Sequence, residues 1–265
     1  ALDQTELGKA IRLRDLGKYR EAEILLRQLL VLSQNDPEII SILSQVLLMD
    51  RRLSEAESTL SEAQAINPKL TSVIRNQARI FLEKNRPVDA LEQAKIAIGV
   101  CPEEPENRLV LAGCMQANNN DEGALQIIEL LLEADPEYAE ALGNRALIRF
   151  RNNDLGGAIN DLTLATSIKP ELSRLWALLG YFHRRNGELK YAINAMTCAH
   201  NNNPHNIDSI INLAEVLTID KKITDAIYIL EGAIDKVGPN IRVLSSLGTT
   251  LLQDKQRQKS KTIFT

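Results

Sequence analysis

Small residues set just ahead of apolar ones return along the chain with a fixed step. Ala22, Ala56, Ala90, Ala124, Ala158, Ala192 and Ala226 stand 34 residues apart, and Ser260 takes the next place. A second series precedes the first by 12 residues and is also small throughout: Ala10, Ser44, Ala78, Ala112, Ala146, Gly180, Ala214 and Gly248. A third follows the first by seven, with Ala63, Ala97, Ala165, Ala199 and Ala233, and with Leu29 and Leu131 in the remaining places. Such internal self-similarity is the mark of a repeat architecture, in which each unit packs only on its neighbours.

Two antiparallel helices per unit account for the pattern. A small residue on the first helix faces a small residue on the second where the backbones come closest. Proline ends the second helix at Pro68, Pro102, Pro136, Pro170 and Pro204, because it cannot continue the hydrogen-bond ladder. Turn signals separate the two helices at Gly17, Asn119-Asn120, Asn153-Asp154 and Asn186-Gly187. Asn and Gly accept the left-handed backbone that stops a helix. No Pro/Gly/Ser-rich linker and no shift in composition marks a boundary, so the 265 residues are expected to form one array.

The sixth unit carries Trp176, Leu179, Gly180, Ala192, Met196 and Pro204 at the spacing of the tetratricopeptide repeat, with His183 where that pattern usually has Tyr. The chain resembles that family over its whole length, and is similar to the superhelix of O-linked N-acetylglucosamine transferase. The resemblance implies an all-α, right-handed superhelical solenoid of antiparallel helix pairs. It divides the sequence into seven units over 3–240 and a partial eighth over 241–265. It also implies a concave groove lined by first helices, which binds a protein or an extended peptide. Self-association through the groove or through the open C-terminal repeat is a further mode. The eighth unit reaches Ser260 and Phe264, residues a second helix would use for packing, and stops at Thr265. That predicts a fragment of a longer protein. The alternative function is then the substrate-recognition arm of a larger enzyme, such as a glycosyltransferase or methyltransferase.

Composition narrows the field. The formal charge of −4 gives no electrostatic drive toward a phosphate backbone, so nucleic acid is not an expected partner. The basic run Lys255, Arg257, Lys259 and Lys261 reads as a solvated turn and helix start. No apolar run is long enough to span a bilayer, and no signal-peptide pattern opens the sequence. Three cysteines without paired spacing argue against a disulfide framework and toward a reducing compartment, the cytoplasm.

Motifs for catalysis are lacking: there is no phosphate-cradling loop, no metal-binding helix pair and no nucleophile elbow, so no enzyme activity and no cofactor are expected. Cys198, His200 and His205 are the nearest approach to a metal cluster, but they flank a helix end and lack a fourth ligand. Trp176 and His183 read as packing residues.

The resemblance therefore places the candidate site on the inward positions of the first helices. Asn76, Asn144 and Asn212 recur at one such position, 68 residues apart. An amide offers both a donor and an acceptor, which suits an extended main chain. Ile42, Val110, Leu178 and Ser246 take this position in the intervening units, so the asparagine ladder is discontinuous. Gly113 and Gly143 leave room beside Asn144. Arg75, Arg79, Arg151, Arg174, Arg184 and Arg185, with Tyr181 among them, give the middle of the groove a basic character. Inward acids such as Glu106, Glu140, Asp208 and Glu215 offset it.

Overall fold

The computed structural model describes residues 4–33 and 35–253. Every regular element among them is a helix. The chain forms two compact units, Ala1–Asn152 and Asn153–Thr265. The boundary falls in a turn that the sequence marks no differently from its other turns.

The first unit holds α1 (Gln4–Asp15), α2 (Tyr19–Leu32), α3 (Pro37–Met49), α4 (Leu53–Ile66), α5 (Thr71–Glu83), α6 (Pro87–Val100), α7 (Pro105–Ala117), α8 (Asp121–Ala134) and α9 (Ala139–Arg151). The second holds α10 (Leu155–Ile168), α11 (Ser173–Arg185), α12 (Leu189–Asn202), α13 (Ile207–Ile219), α14 (Ile223–Val237) and α15 (Ile241–Gln253). Within each unit a helix packs on its neighbours in sequence. First helices also pack on each other, α3 on α5 and α5 on α7 in the first unit, α13 on α15 in the second. This is the all-α repeat array that the 34-residue period predicts.

The small residues do what their spacing implies. Ala22, Ala56, Ala90, Ala124, Ala158, Ala192 and Ala226 are all fully buried. In α3 and α4 the two series touch directly, where the Ser44 hydroxyl donates to the Ala56 carbonyl at 2.7 Å. In α11 and α12 the approach is closer still. A β-carbon on Gly180 would stand 2.5 Å from Met196 Cγ and 3.2 Å from the Ala192 carbonyl oxygen. Leucine and isoleucine fill the space around these contacts. In the second unit, Leu213, Leu217, Leu230, Val243, Leu247 and Leu251 form one buried cluster with Ala214 and Ala226.

The turns inside the pairs follow one design. Gly17, Arg51, Asn85, Asn119, Asn153, Gly187 and Lys221 all have positive φ, between 56° and 79°, and they too are spaced by 34 residues. The next amide reaches back five residues, as in Lys18 to Leu13 (2.9 Å), Arg52 to Leu47 (2.9 Å) and Lys222 to Leu217 (2.8 Å). That bond is the long one of a Schellman cap, which satisfies an otherwise orphaned carbonyl. The second helices stop on Asn67, Cys101, Asp135, Lys169 and Asn203, each one residue ahead of the expected proline.

Two expectations about packing need adjustment. Trp176 is not a core residue: it is half-buried at the edge of α11, and its indole N–H donates to the Pro170 carbonyl at 2.8 Å. His183 does take the aromatic place, stacked on Tyr191 with ring centroids 5.3 Å apart, but it also lies 2.7 Å from the Glu188 carboxylate. Burial pushes the Cys114 thiol up to about 12, as befits an inert core residue. No described helix is long and apolar enough to cross a membrane. Ser260, Phe264 and the basic run after Lys255 lie outside the described residues.

Candidate functional site

The inward positions of the first helices divide into residues that the array uses internally and residues that it leaves available. Asn76 belongs to the first kind. It is buried in α5, and its amide donates to the Ser41 carbonyl at 2.9 Å and to the Ser41 hydroxyl at 3.0 Å, on α3 of the preceding repeat. Its carbonyl oxygen accepts from Arg79 at 2.9 Å. All of its main capacity is spent inside the protein.

Arg75 is similarly committed. It is buried, and its guanidinium meets Glu104 at 2.5 Å, Asn107 at 2.9 Å and Glu106 at 3.0 Å. Asn107 in turn donates to the Ala97 and Cys101 carbonyls at the end of α6. The group is therefore a clamp between consecutive repeats. Tyr138 belongs to the same region: burial, and then the carboxylates of Glu140 and Glu106, push its phenol above the ordinary range. The Arg75/Asn76 pair thus differs from the expectation of a free peptide contact. Its neighbours, Ser41 and Glu104, supply partners that a single inward position cannot reveal.

Asn144 and Asn212 are the second kind. Both are half-buried, on α9 and α13, and neither side-chain amide has a protein partner among the described residues. The Asn144 main-chain carbonyl accepts from Gln116 at 3.2 Å. Beside it on the preceding first helix, a β-carbon on Gly113 would have nothing within 4 Å, so the space expected there exists. Gly143, by contrast, is buried.

The arginines are mostly balanced by acids. Arg151 pairs with Asp121 at 2.5 Å. Arg184 pairs with Glu215 of the next repeat at 3.0 Å and lies over the Tyr181 ring at 5.6 Å. Arg242 pairs with Asp208 at 2.6 Å. Arg174 and Arg185 are exposed on α11 and also engaged. Arg75, Arg151 and Arg184, three of the arginines expected to make the middle basic, are in this way paired with acids.

An open groove of about 720 Å³ lies between α13 and α15. From α13 it is lined by Ile211, Glu215, Thr218 and Ile219. From α15 come Ile241, Arg242, Ser245, Ser246, Thr249, Thr250 and Gln253. Most of these stand at the inward positions anticipated from the repeat register. Glu215 and Ser246 are among the inward positions named from the sequence, and Arg242 shares the register position of Asp208 one repeat on. Ser245 and Thr249 join them once the same register is carried into the last helix. Ile241 and Thr250 lie off the register, and no sequence signal marks them. Among the described residues no group of three or more His, Cys, Asp or Glu side chains is arranged to hold a metal ion, the Cys198, His200 and His205 set included.

Residues 115–170 match the tetratricopeptide repeat family profile. Solved structures agree. The Cut9–Hcn1 hetero-tetramer of the APC/C superposes with a TM-score of 0.66 at 16% identity over 91% of this chain. A thermophilic tetratricopeptide protein of Thermus thermophilus superposes with 0.62 at 20% identity, over 69% of this chain and 100% of its own. The fold is a tetratricopeptide-type repeat array. Pseudomonas aeruginosa pilF shares it, with a TM-score of 0.59 at 16% identity over 73% of this chain and 88% of its own. The array spans 48% of the APC/C chain, about half its length. Residues 9–132 match a second profile, the ChAPs, or Chs5p-Arf1p-binding proteins. No curated protein matches by sequence. These matches support the repeat family and do not single out the superhelix of O-linked N-acetylglucosamine transferase.

Proposed function

We propose that this chain is a protein-binding scaffold that holds a segment of its partner against the inward faces of the first helices, with Asn212 as a main-chain contact in the second unit and Asn144 as a separate one in the first. The observation that carries the reading is the open groove between α13 and α15, whose walls are side chains of first helices. Two half-buried amides without protein partners add to it, since each has an unused donor and acceptor. The profile matched by residues 9–132 is that of proteins named for binding other proteins, which favours a protein partner here too. Asn76 and Arg75 hold the repeats in register and shape the surface rather than touch the ligand.

Selection of peptides from a displayed random library on the immobilised chain tests this. Selected peptides should lose affinity for Asn212→Arg or Asn144→Arg and keep it for Val88→Arg, a change at an exposed residue of the second helix α6. Peptides that bind all three variants equally, or a library that yields no binder, would sink the reading.

A further inference from the structure

We infer that the groove between α13 and α15 takes an extended, uncharged peptide segment carrying a branched aliphatic side chain. The inference rests on the groove-binding reading above and specifies the chemistry of the occupant.

Charge is the first argument. The groove's lining contains one acid and one base, Glu215 and Arg242. Each already has a counter-ion outside it, Arg184 at 3.0 Å and Asp208 at 2.6 Å. A charged ligand side chain would leave water for a surface whose charges are spent, and no free counter-ion among the described lining residues would offset its desolvation. A neutral segment meets no such penalty.

The hydroxyls give the second argument. Thr218 donates to the Ala214 carbonyl at 2.7 Å, and Thr249 and Thr250 both donate to the Ser246 carbonyl at 2.8 Å. Their protons are committed to the helices, so toward the groove they offer lone pairs only. Ser245 and Ser246 have no side-chain partner among the described residues and can still donate. A helical ligand satisfies its own main chain and would leave these groups unused. An extended ligand presents alternating N–H and C=O groups that need such acceptors and donors.

The third argument is the apolar rim. Ile241 is 81% exposed and Ile219 52% exposed, with Ile211 beside them in the same groove. Covering these with an aliphatic side chain removes apolar surface from water on both partners.

Three pools of short labelled peptides decide the matter: one neutral and rich in Ile and Val, one acidic and one basic. The neutral pool should bind best. Raising the salt should change its Kd by less than about twofold, because no exposed charge pair is formed. Thr249→Arg and Ser245→Arg, both at exposed positions, should weaken it by about tenfold or more, whereas Thr224→Arg on α14 should not. Preferential binding of a charged pool, or steep salt dependence, with Thr249→Arg still disruptive overturns the inference and leaves groove binding standing. Neutral peptides that bind regardless of Thr249→Arg and Ser245→Arg overturn the placement. If no pool binds at all, the groove reading and this inference fail together.

Discussion

Asn76 and Ser41, 35 residues apart in sequence, are joined by two hydrogen bonds, from one amide to the carbonyl at 2.9 Å and to the hydroxyl at 3.0 Å. Ser41 is fully buried, so removing the amide takes a donor away from its hydroxyl and its carbonyl and strips Arg79 of an acceptor. Asn76→Ala should therefore destabilise the first unit by about 1–3 kcal/mol. Asn144→Ala should stay within about 0.5 kcal/mol, since its amide has no protein partner to lose. Urea unfolding of the two variants side by side checks this, and equal effects would contradict the assigned difference.

Periodicity carries the fold because it reports what every repeat must satisfy. Backbone contact between paired helices forces a small residue at Ala22 and at each equivalent through Ala226, and all seven are fully buried. The site is legible only in part, because inward position does not say who else is within reach. Asn76, Asn144 and Asn212 share one register. Only the first meets a serine of the preceding repeat, since Ser41 has no counterpart in the sequence before the other two, where Leu109 and Ala177 stand. Turn positions show the same limit. Gly17, Asn119 and Gly187 announce a left-handed turn by their chemistry, whereas Arg51 and Lys221 adopt it without any such preference.

Gly180 and Gly113 make opposite predictions from the same substitution. At Gly180 an added methyl meets Met196 Cγ at 2.5 Å, which can swing aside, but also the Ala192 carbonyl at 3.2 Å and the Met196 amide at 3.3 Å, which cannot move without separating the helices. Gly180→Ala should cost about 1–3 kcal/mol. Nothing stands within 4 Å of the position a methyl would take at Gly113, in the interior of α7. Gly113→Ala should therefore stabilise by about 0.5–1 kcal/mol through the lower entropy of the unfolded chain and better helix propensity. Thermal denaturation gives both signs directly.

Lys221 holds a φ of 62° where its counterparts Gly17 and Gly187 are glycine. The left-handed backbone brings the β-carbon close to the carbonyl that follows, a cost of roughly 1–2 kcal/mol for an L-residue. Lys221→Gly relieves it, against a smaller loss from the freer unfolded chain, and should raise stability by about 0.5–1 kcal/mol. Gly187→Ala should do the reverse. If Lys221→Gly lowers the melting temperature, the lysine side chain contributes something that the cap geometry does not explain.

His200 makes the stability of the second unit depend on pH. Its Nδ1 is buried without a hydrogen-bond partner among the described residues. Burial first, then the charges of Lys236 and His205, hold its pKa below the ordinary value. The sign follows from proton binding. Near the unfolded-state value of about 6.5 the unfolded chain takes up a proton that the folded chain refuses. Stability is therefore unaffected by this group above that pH, and falls as the pH drops from there toward the lower folded value. The Glu188 carboxylate, held down by its hydrogen bonds with His183 and Asn186, acts in a separate window. Its contribution is present above the ordinary carboxylate pKa and is lost only in stronger acid. Replacing the imidazole should then flatten the first window and leave the second. Unfolding free energies measured from neutral pH down to about pH 5 should decline for the parent chain and stay nearly level for His200→Leu over the same range. Parallel declines in the two proteins would assign the acid sensitivity to some other group.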